Sequence, residues 1–160
     1  MEASEFEMTR PDYCTYFMRF ANLAAERSTC LRRKVGAVIV KNNMVVATGY
    51  NGAPSGCRHC CDVGCLRESM RIKSGERHEL CRGVHAEQNA IIQAAVHGVS
   101  VDGSTLYCTT QPCSVCVKMI INAKIRRVVY GSVYNDPLAL ELASEVGLKM
   151  FQAREEDRNG

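Results

Sequence analysis

Apolar positions along this chain keep two different rhythms. Tyr13, Phe17, Phe20, Leu23 and Ala24 return every three or four residues, which predicts an amphipathic helix. Pro11 suits the first turn of that helix, and Asp12 suits its positive end. Residues 35–40 and 44–50 are apolar, β-branched runs, and Lys41-Asn42-Asn43 between them predicts a hairpin. Further along, residues 85–97 read as a helix with Ala86, Ala90, Ile91, Ala94 and Ala95 available for packing. Residues 105–109 read as a strand, 112–123 as a helix and 127–133 as a strand. Residues 138–146 form a helix closed by Gly147, and 148–151 a last strand. A helix, a hairpin, then alternating helix and strand predict a three-layer α/β/α sandwich on one mixed sheet. Residues 1–9 and the polar tail after Gln152 read as frayed ends.

Residues 51–84 break both rhythms. They carry glycines, charges, five cysteines (Cys57, Cys60, Cys61, Cys65, Cys81) and two histidines (His59, His78), with little apolar material. The segment reads as an insertion held by something other than a hydrophobic core. With 160 residues, the chain is expected to be one domain, with its core at about 11–151.

Composition narrows the setting. The hydrophobic share of 46% and charged share of 23% are ordinary for a soluble globular protein. A net charge of +3 does not suggest a large nucleic-acid-binding surface. No apolar stretch is long enough to span a bilayer, and the acidic start lacks a signal-peptide pattern. A cytoplasmic chain is expected, where thiols stay reduced and clustered cysteines bind metal.

The chemistry lies in His85-Ala86-Glu87 and Pro112-Cys113-Ser114-Val115-Cys116. His85, Cys113 and Cys116 supply three ligands for zinc, leaving the fourth tetrahedral position for water. Both ligand groups sit at predicted helix starts, where the dipole stabilises thiolates. Glu87 is not needed as a ligand and is placed to carry the proton of the activated water. A closed zinc knot is the competing reading, but it gives Glu87 no task. For the insertion, Cys30, Cys60, Cys65 and Cys81 are the expected ligands of a second, structural zinc, with His78 or His59 as substitutes; free thiols are the alternative. Cys14 and Cys108 read as small buried hydrophobes.

The H-x-E and P-C-x-x-C pattern resembles the zinc-dependent nucleobase deaminases. TGYNGAPSG (48–56), HCCDVGC (59–65), CRGVHAEQNAI (81–91), PCSVC (112–116) and VYGSVYND (129–136) are similar to deoxycytidylate deaminases over residues 11–151. That resemblance implies a five-stranded mixed sheet and hydrolysis of dCMP to dUMP and ammonia, supplying dUMP for thymidylate synthesis. It also implies activation by dCTP, inhibition by dTTP, and a homo-oligomer with a hexamer favoured. Phage relatives in this family carry a structural zinc, and Cys30 and Cys60 fall at matching thiol positions.

Asn51 matches the residue that holds the sugar hydroxyl, although Tyr50-Asn51-Gly52 also reads as a turn. Arg27, Ser28 and Tyr134 are expected phosphate contacts, with surface or core-edge roles as the alternative. Val84, Ala86 and Thr110 are expected along the base pocket, or else in the core. Gly52, Ser55 and Gly56 lie in a loop able to offer backbone N–H groups to an effector phosphate, or to serve as a connector. A tRNA adenosine deaminase, a free cytidine or guanine deaminase, and a zinc-stabilised DNA-uptake accessory module are the competing functions. The runs Arg32-Arg33-Lys34, Arg71/Lys73 and Lys124/Arg126/Arg127 read as solvated faces.

Overall fold

The computed structural model describes residues 10–158. Helix α1 (Tyr13–Glu26) leads into strands β1 (Gly36–Lys41) and β2 (Met44–Tyr50), and the insertion follows with short helices α2 (Cys60–Val63) and α3 (Leu66–Ser69). Then come α4 (Ala86–Val96), β3 (Thr105–Thr110), α5 (Ser114–Asn122), β4 (Arg127–Ser132), α6 (Pro137–Glu145), β5 (Lys149–Gln152) and α7 (Glu155–Arg158). The sheet order is β2-β1-β3-β4-β5. β1 runs antiparallel to β2 and β3, whereas β3, β4 and β5 run parallel. This is the five-stranded mixed sheet that the resemblance implies.

The sheet is buried on both faces, so β1 reads as a continuous apolar run. Val38 and Val40 meet Phe17, Met18 and Ala21 of α1 on one side. Ala37 and Ile39 belong to the core on the other side, together with Ala86 and Ala90 of α4, Val117 and Ile120 of α5, and Ala139 and Ala143 of α6. The hairpin turn is tight because Asn42 and Asn43 both take positive φ, 51° and 58°. That left-handed pair matches the twist of the flanking strands.

Three sequence expectations need correction. Pro11 lies before the first helix, and Asp12 is its N-cap, accepting from the Thr15 N–H at 2.8 Å. The buried face of α1 is Phe17, Met18, Ala21 and Ala25, while Tyr13 and Leu23 face solvent. The tail after Gln152 is not frayed over its described residues. It forms α7, where Asp157 is fully buried and accepts hydrogen bonds from Arg154 Nε at 3.0 Å and from the Thr15 hydroxyl. Arg154 also reaches Asp12, so a polar clasp ties the tail to the start of α1. Hydrophobic periodicity carries no signal for such a contact. The expected fraying of residues 1–9 lies outside the described residues.

Gly49 sets the position of α4. A Cβ at Gly49 would lie 2.2 Å from the Ala86 carbonyl oxygen and 2.4 Å from the Ala90 nitrogen. Only a bare backbone lets the first turn of α4 rest directly on β2. Gly49→Ala should therefore cost at least about 1–3 kcal/mol through overpacking, read as a lowered midpoint in thermal unfolding.

Candidate active site

β2, β3 and β4 all run with their carboxyl ends towards one edge of the sheet, where open α/β sheets place ligand sites. Helix α4 begins there with His85 as its N-cap, and α5 begins there with Cys113 as its N-cap. The start of α4 is tied down by Gln88, whose Oε1 accepts from the His85 N–H at 2.8 Å. The start of α5 is fixed from outside. Asp136 Oδ2 accepts from the Ser114 N–H at 2.7 Å, while its Oδ1 accepts from Ala139 at the head of α6. Burial works against the Asp136 carboxylate, but these N–H donors prevail and hold its pKa below the usual range. Sequence reading overlooked this residue. Its signal was the Asp-Pro pair opening α6, a cap followed by a first-turn proline.

The two helix starts converge. His85 Nδ1 lies 3.6 Å from Cys113 Sγ and 3.3 Å from Cys116 Sγ. Among the described residues, these three alone form a group of metal-ligand atoms all within 4.8 Å of one another. Cys116 and His85 act as hydrogen-bond partners of Cys113, and its thiol pKa falls to about 4. The same proximity, with burial, pushes the Cys116 thiol upward. The pair therefore holds one negative charge by itself, and a divalent cation is what draws off the second proton. One imidazole and two thiols with this geometry fit zinc.

Glu87 sits in the first turn of α4 and is 5% exposed. Burial raises its carboxyl above the ordinary range, and Cys113 adds to the rise, while His85 opposes it. A carboxyl that keeps its proton this readily, beside the metal ligands, can both take up and return one. Cys108 is buried beside it, as the sequence predicts for a small hydrophobe, and forms a hydrogen bond with the carboxyl.

The pocket over this centre is lined by Val84, Ala86, Thr110, Tyr134 and Asn51, all expected from the sequence. Asn51 is heavily used by the protein itself. Its Oδ1 accepts from the Ser28 hydroxyl at 2.5 Å and the Val35 N–H at 2.8 Å, and Nδ2 donates to the Arg33 carbonyl at 2.8 Å. Both oxygen lone pairs are committed, so what Asn51 can offer a ligand is its second amide N–H. Ser28 lies behind Asn51 and is not part of the pocket wall. Arg27 is also outside it, with its guanidinium 5.9 Å from the Tyr50 ring centroid.

The cations that do line the pocket are Arg32, Arg33 and Arg67. The run Arg32-Arg33-Lys34 is thus not simply a solvated face. Arg32 Nη2 donates to the Ile72 carbonyl at 2.5 Å, and Arg67 Nη2 donates to the Lys73 carbonyl at 3.1 Å. Arg32 Nη1 and Arg67 Nε are buried and have no protein partner among the described residues. Within residues 53–80, the two buried side chains are Cys60 and Arg67. Burial of an arginine in a polar insertion has no signature in hydrophobic pattern, which explains why it was missed.

Cys30, Cys60, Cys65 and Cys81 are brought to this same pocket. Burial raises the Cys60 thiol, and Cys65, Cys81 and Cys30 raise it further, so all four are electrostatic neighbours. Their sulfurs are not as tightly gathered as the His85 group. The Gly83 N–H reaches Cys81 Sγ at 3.4 Å. His78 turns instead towards His85, and His59 lies in a separate outer groove. Gly52, Ser55 and Gly56 border that groove as well. The Gly52 N–H is spent on the Val84 carbonyl at 3.2 Å, so it has no proton to offer an effector phosphate.

Residues 12–132 match the cytidine and deoxycytidylate deaminase zinc-binding region. The chain belongs to this deaminase family. It is 40% identical over 144 residues to the deoxycytidylate deaminase of Schizosaccharomyces pombe, covering 89% of this chain but 44% of that protein. It is 41% identical over 146 residues to ComE operon protein 2 of Bacillus subtilis, covering 91% of this chain and 73% of that one. The dCMP deaminase of cyanophage S-TIM5, solved with dCMP and dUMP, superimposes with a TM-score of 0.75 at 32% identity over 91% of this chain and 99% of that chain. The chain thus spans under half the length of its fission-yeast relative and nearly all of the phage enzyme.

The raised Glu87 carboxyl makes stability depend on pH. In metal-free protein the folded state holds that proton at pH values where the unfolded chain, near pKa 4.3, has lost it. Stability therefore falls as pH rises from that value through the raised folded one. The Glu87→Gln variant lacks this loss. Its melting temperature relative to metal-free wild type should climb as pH rises above about 4, and a difference flat in pH would refute the assignment.

Proposed function

We propose that this deaminase hydrolyses dCMP to dUMP and ammonia, as one catalytic unit with the insertion serving as a pocket wall. The observation that carries the choice of a phosphorylated substrate is the pair of buried, unpartnered guanidinium N–H groups on Arg32 and Arg67, in the pocket that holds the zinc ligands. Buried donors without acceptors are costly, and a phosphate dianion would satisfy both. Tyr134 borders the same pocket, and its hydroxyl closes on the insertion loop at Gly75. The relatives named as deoxycytidylate deaminases support the same substrate.

His85, Cys113 and Cys116 would hold the zinc, which when bound supplies Lewis-acid activation of water. Glu87 takes the first proton of the attacking water at its carboxylate and delivers it to the pyrimidine ring nitrogen; it then takes the second, from the hydroxyl left on C4, and passes it to the amine, which departs as ammonia as the C4 carbonyl forms. Ala86 and Thr110 pack the base edge, while the remaining Asn51 N–H is available to a sugar hydroxyl. Burial of Glu87 against the ligand group favours turnover over a binding-only accessory role, which would leave that carboxyl without a task.

The reading extends to dUMP supply for thymidylate synthesis in the cytoplasm, which suits ten free thiols. It extends also to activation by dCTP, inhibition by dTTP and a hexamer, as the family resemblance implies. The outer groove bordered by Ser55, Gly56, His59, Asn89 and His97 is where an effector has room on this chain. Cys30, Cys60, Cys65 and Cys81 would close a second, structural zinc in place of an apolar core for the insertion.

Ammonia release should be much faster from dCMP than from deoxycytidine or a tRNA stem-loop; turnover of either alternative without dCMP would overturn the substrate. Arg67→Met should lower kcat/KM for dCMP by about 10- to 100-fold, the worth of a charged hydrogen bond, with little change for deoxycytidine. Glu87→Ala should keep its zinc yet lose about 100- to 10,000-fold in kcat. Metal analysis should find two zinc ions per chain, and one in Cys60→Ser; a single ion in wild type removes the structural site.

A further inference from the structure

His85 has two ring nitrogens, and both are committed. Nδ1 faces the two cysteine sulfurs at 3.6 and 3.3 Å. Nε2 lies 3.3 Å from Nδ1 of His78, with the two ring centroids 5.2 Å apart and the planes tilted by 59°. We propose that His78, borne on the insertion, is a positioning residue for the metal: it accepts the Nε2–H of His85 and so fixes the tautomer and ring direction of the ligand. The assignment rests on the reading of His85, Cys113 and Cys116 as a zinc centre.

The proton bookkeeping has one solution. An imidazole that gives the Nδ1 lone pair to a metal is neutral and carries its remaining proton on Nε2. That N–H must then donate. The group facing it is His78 Nδ1, which accepts only if His78 carries its own proton on Nε2. Metal-bound histidines usually donate to a carboxylate, a backbone carbonyl or water. Here the acceptor is a second imidazole, its ring tilted 59° to the first.

His78 is itself held in place. It opens a 3₁₀ turn, His78–Leu80, entered through Arg77 in the left-handed conformation at φ 51°. The side chain of Arg77 pairs with Glu79. The carbonyl of His78 accepts from the Cys81 N–H at 3.0 Å. Cys81 belongs to the thiol group that lines the same pocket. The insertion is therefore joined to the catalytic ligand by a short chain of contacts, Cys81 to the 3₁₀ turn to His78 to His85. This gives the segment a purpose beyond enclosing the substrate. It also excludes His78 Nδ1 from the second metal group, since that nitrogen is already engaged.

The test is a cobalt(II) titration of metal-free full-length protein in competition with a chelator, followed by thiolate-to-metal absorption. The Cys113→Ala/Cys116→Ala double variant is titrated in parallel and subtracted, which isolates the ion at His85 from any other. His78→Phe keeps a packed ring but no acceptor, and His78→Gln keeps an acceptor without the ring. The expected result is that His78→Phe weakens the isolated ion by about 10- to 100-fold and shifts its ligand-field bands, while His78→Gln restores most of the affinity. A His78→Phe variant that binds as tightly as wild type, with near-UV circular dichroism unchanged, overturns the proposal. A His78→Gln variant as weak as His78→Phe also overturns it. A wild-type difference titration showing no thiolate-bound ion would instead sink the zinc centre itself, which is a separate result.

Discussion

Everything at this site depends on two helices starting at the same place. Burying a cluster of ionisable sulfur, nitrogen and carboxyl groups is costly, and the protein meets that cost with oriented backbone. The N-termini of α4 and α5 aim their positive ends at the cluster, and each supplies its N-cap residue, His85 or Cys113, to it. Their convergence is enforced by contacts with no slack. α4 rests on the bare backbone of Gly49, and α5 is tied to α6 by one carboxylate, Asp136. The resulting proximity pulls the Cys113 thiol far down and the Glu87 carboxyl up. The Cys113 thiol and the Glu87 carboxyl are thus tuned in opposite directions at two adjoining helix starts.

The insertion solves a different problem with different means. It has too little apolar surface to fold as a hydrophobic unit, and its two buried side chains between residues 53 and 80 are a thiol and a guanidinium. Polar groups therefore organise it: four cysteines as electrostatic neighbours, arginines bonded to the carbonyls of residues 72 and 73, and His78 bonded to His85. This places the insertion against the pocket rather than beside it. A segment that resembles a surface loop in composition becomes a wall of the pocket beside His85.

The same division explains the errors of position. Arg27 and Ser28 lie near the right place in sequence, yet the chain turns after α1 so that Arg32 and Arg33 face the pocket instead. Ser28 is drawn inward to brace Asn51. Asn51 lines the pocket as expected, but much of its hydrogen-bonding capacity holds its own loop together. Gly52 likewise spends its N–H on Val84, forming the bridge that sets the entry to His85. A loop residue next to an active site often has a structural duty as well, and one-dimensional reading assigns it only one.

What the sequence determined by itself was everything local or periodic. Alternating and helical rhythms placed the main strands and helices, because burial on a regular backbone repeats at a fixed interval. The grouping of His85, Cys113 and Cys116 with Glu87 beside them was legible because each sits within the first turn of its own helix or at its cap, where spacing dictates direction. Only the tertiary structure decided what depends on long-range placement. The clasp of Asp157 to α1, the double capping by Asp136, the turning of Arg32 and Arg67 into the pocket and the pairing of His78 with His85 all join residues whose separation follows no period. Such pairs are set by where the sheet brings chain segments together, and no local pattern encodes that.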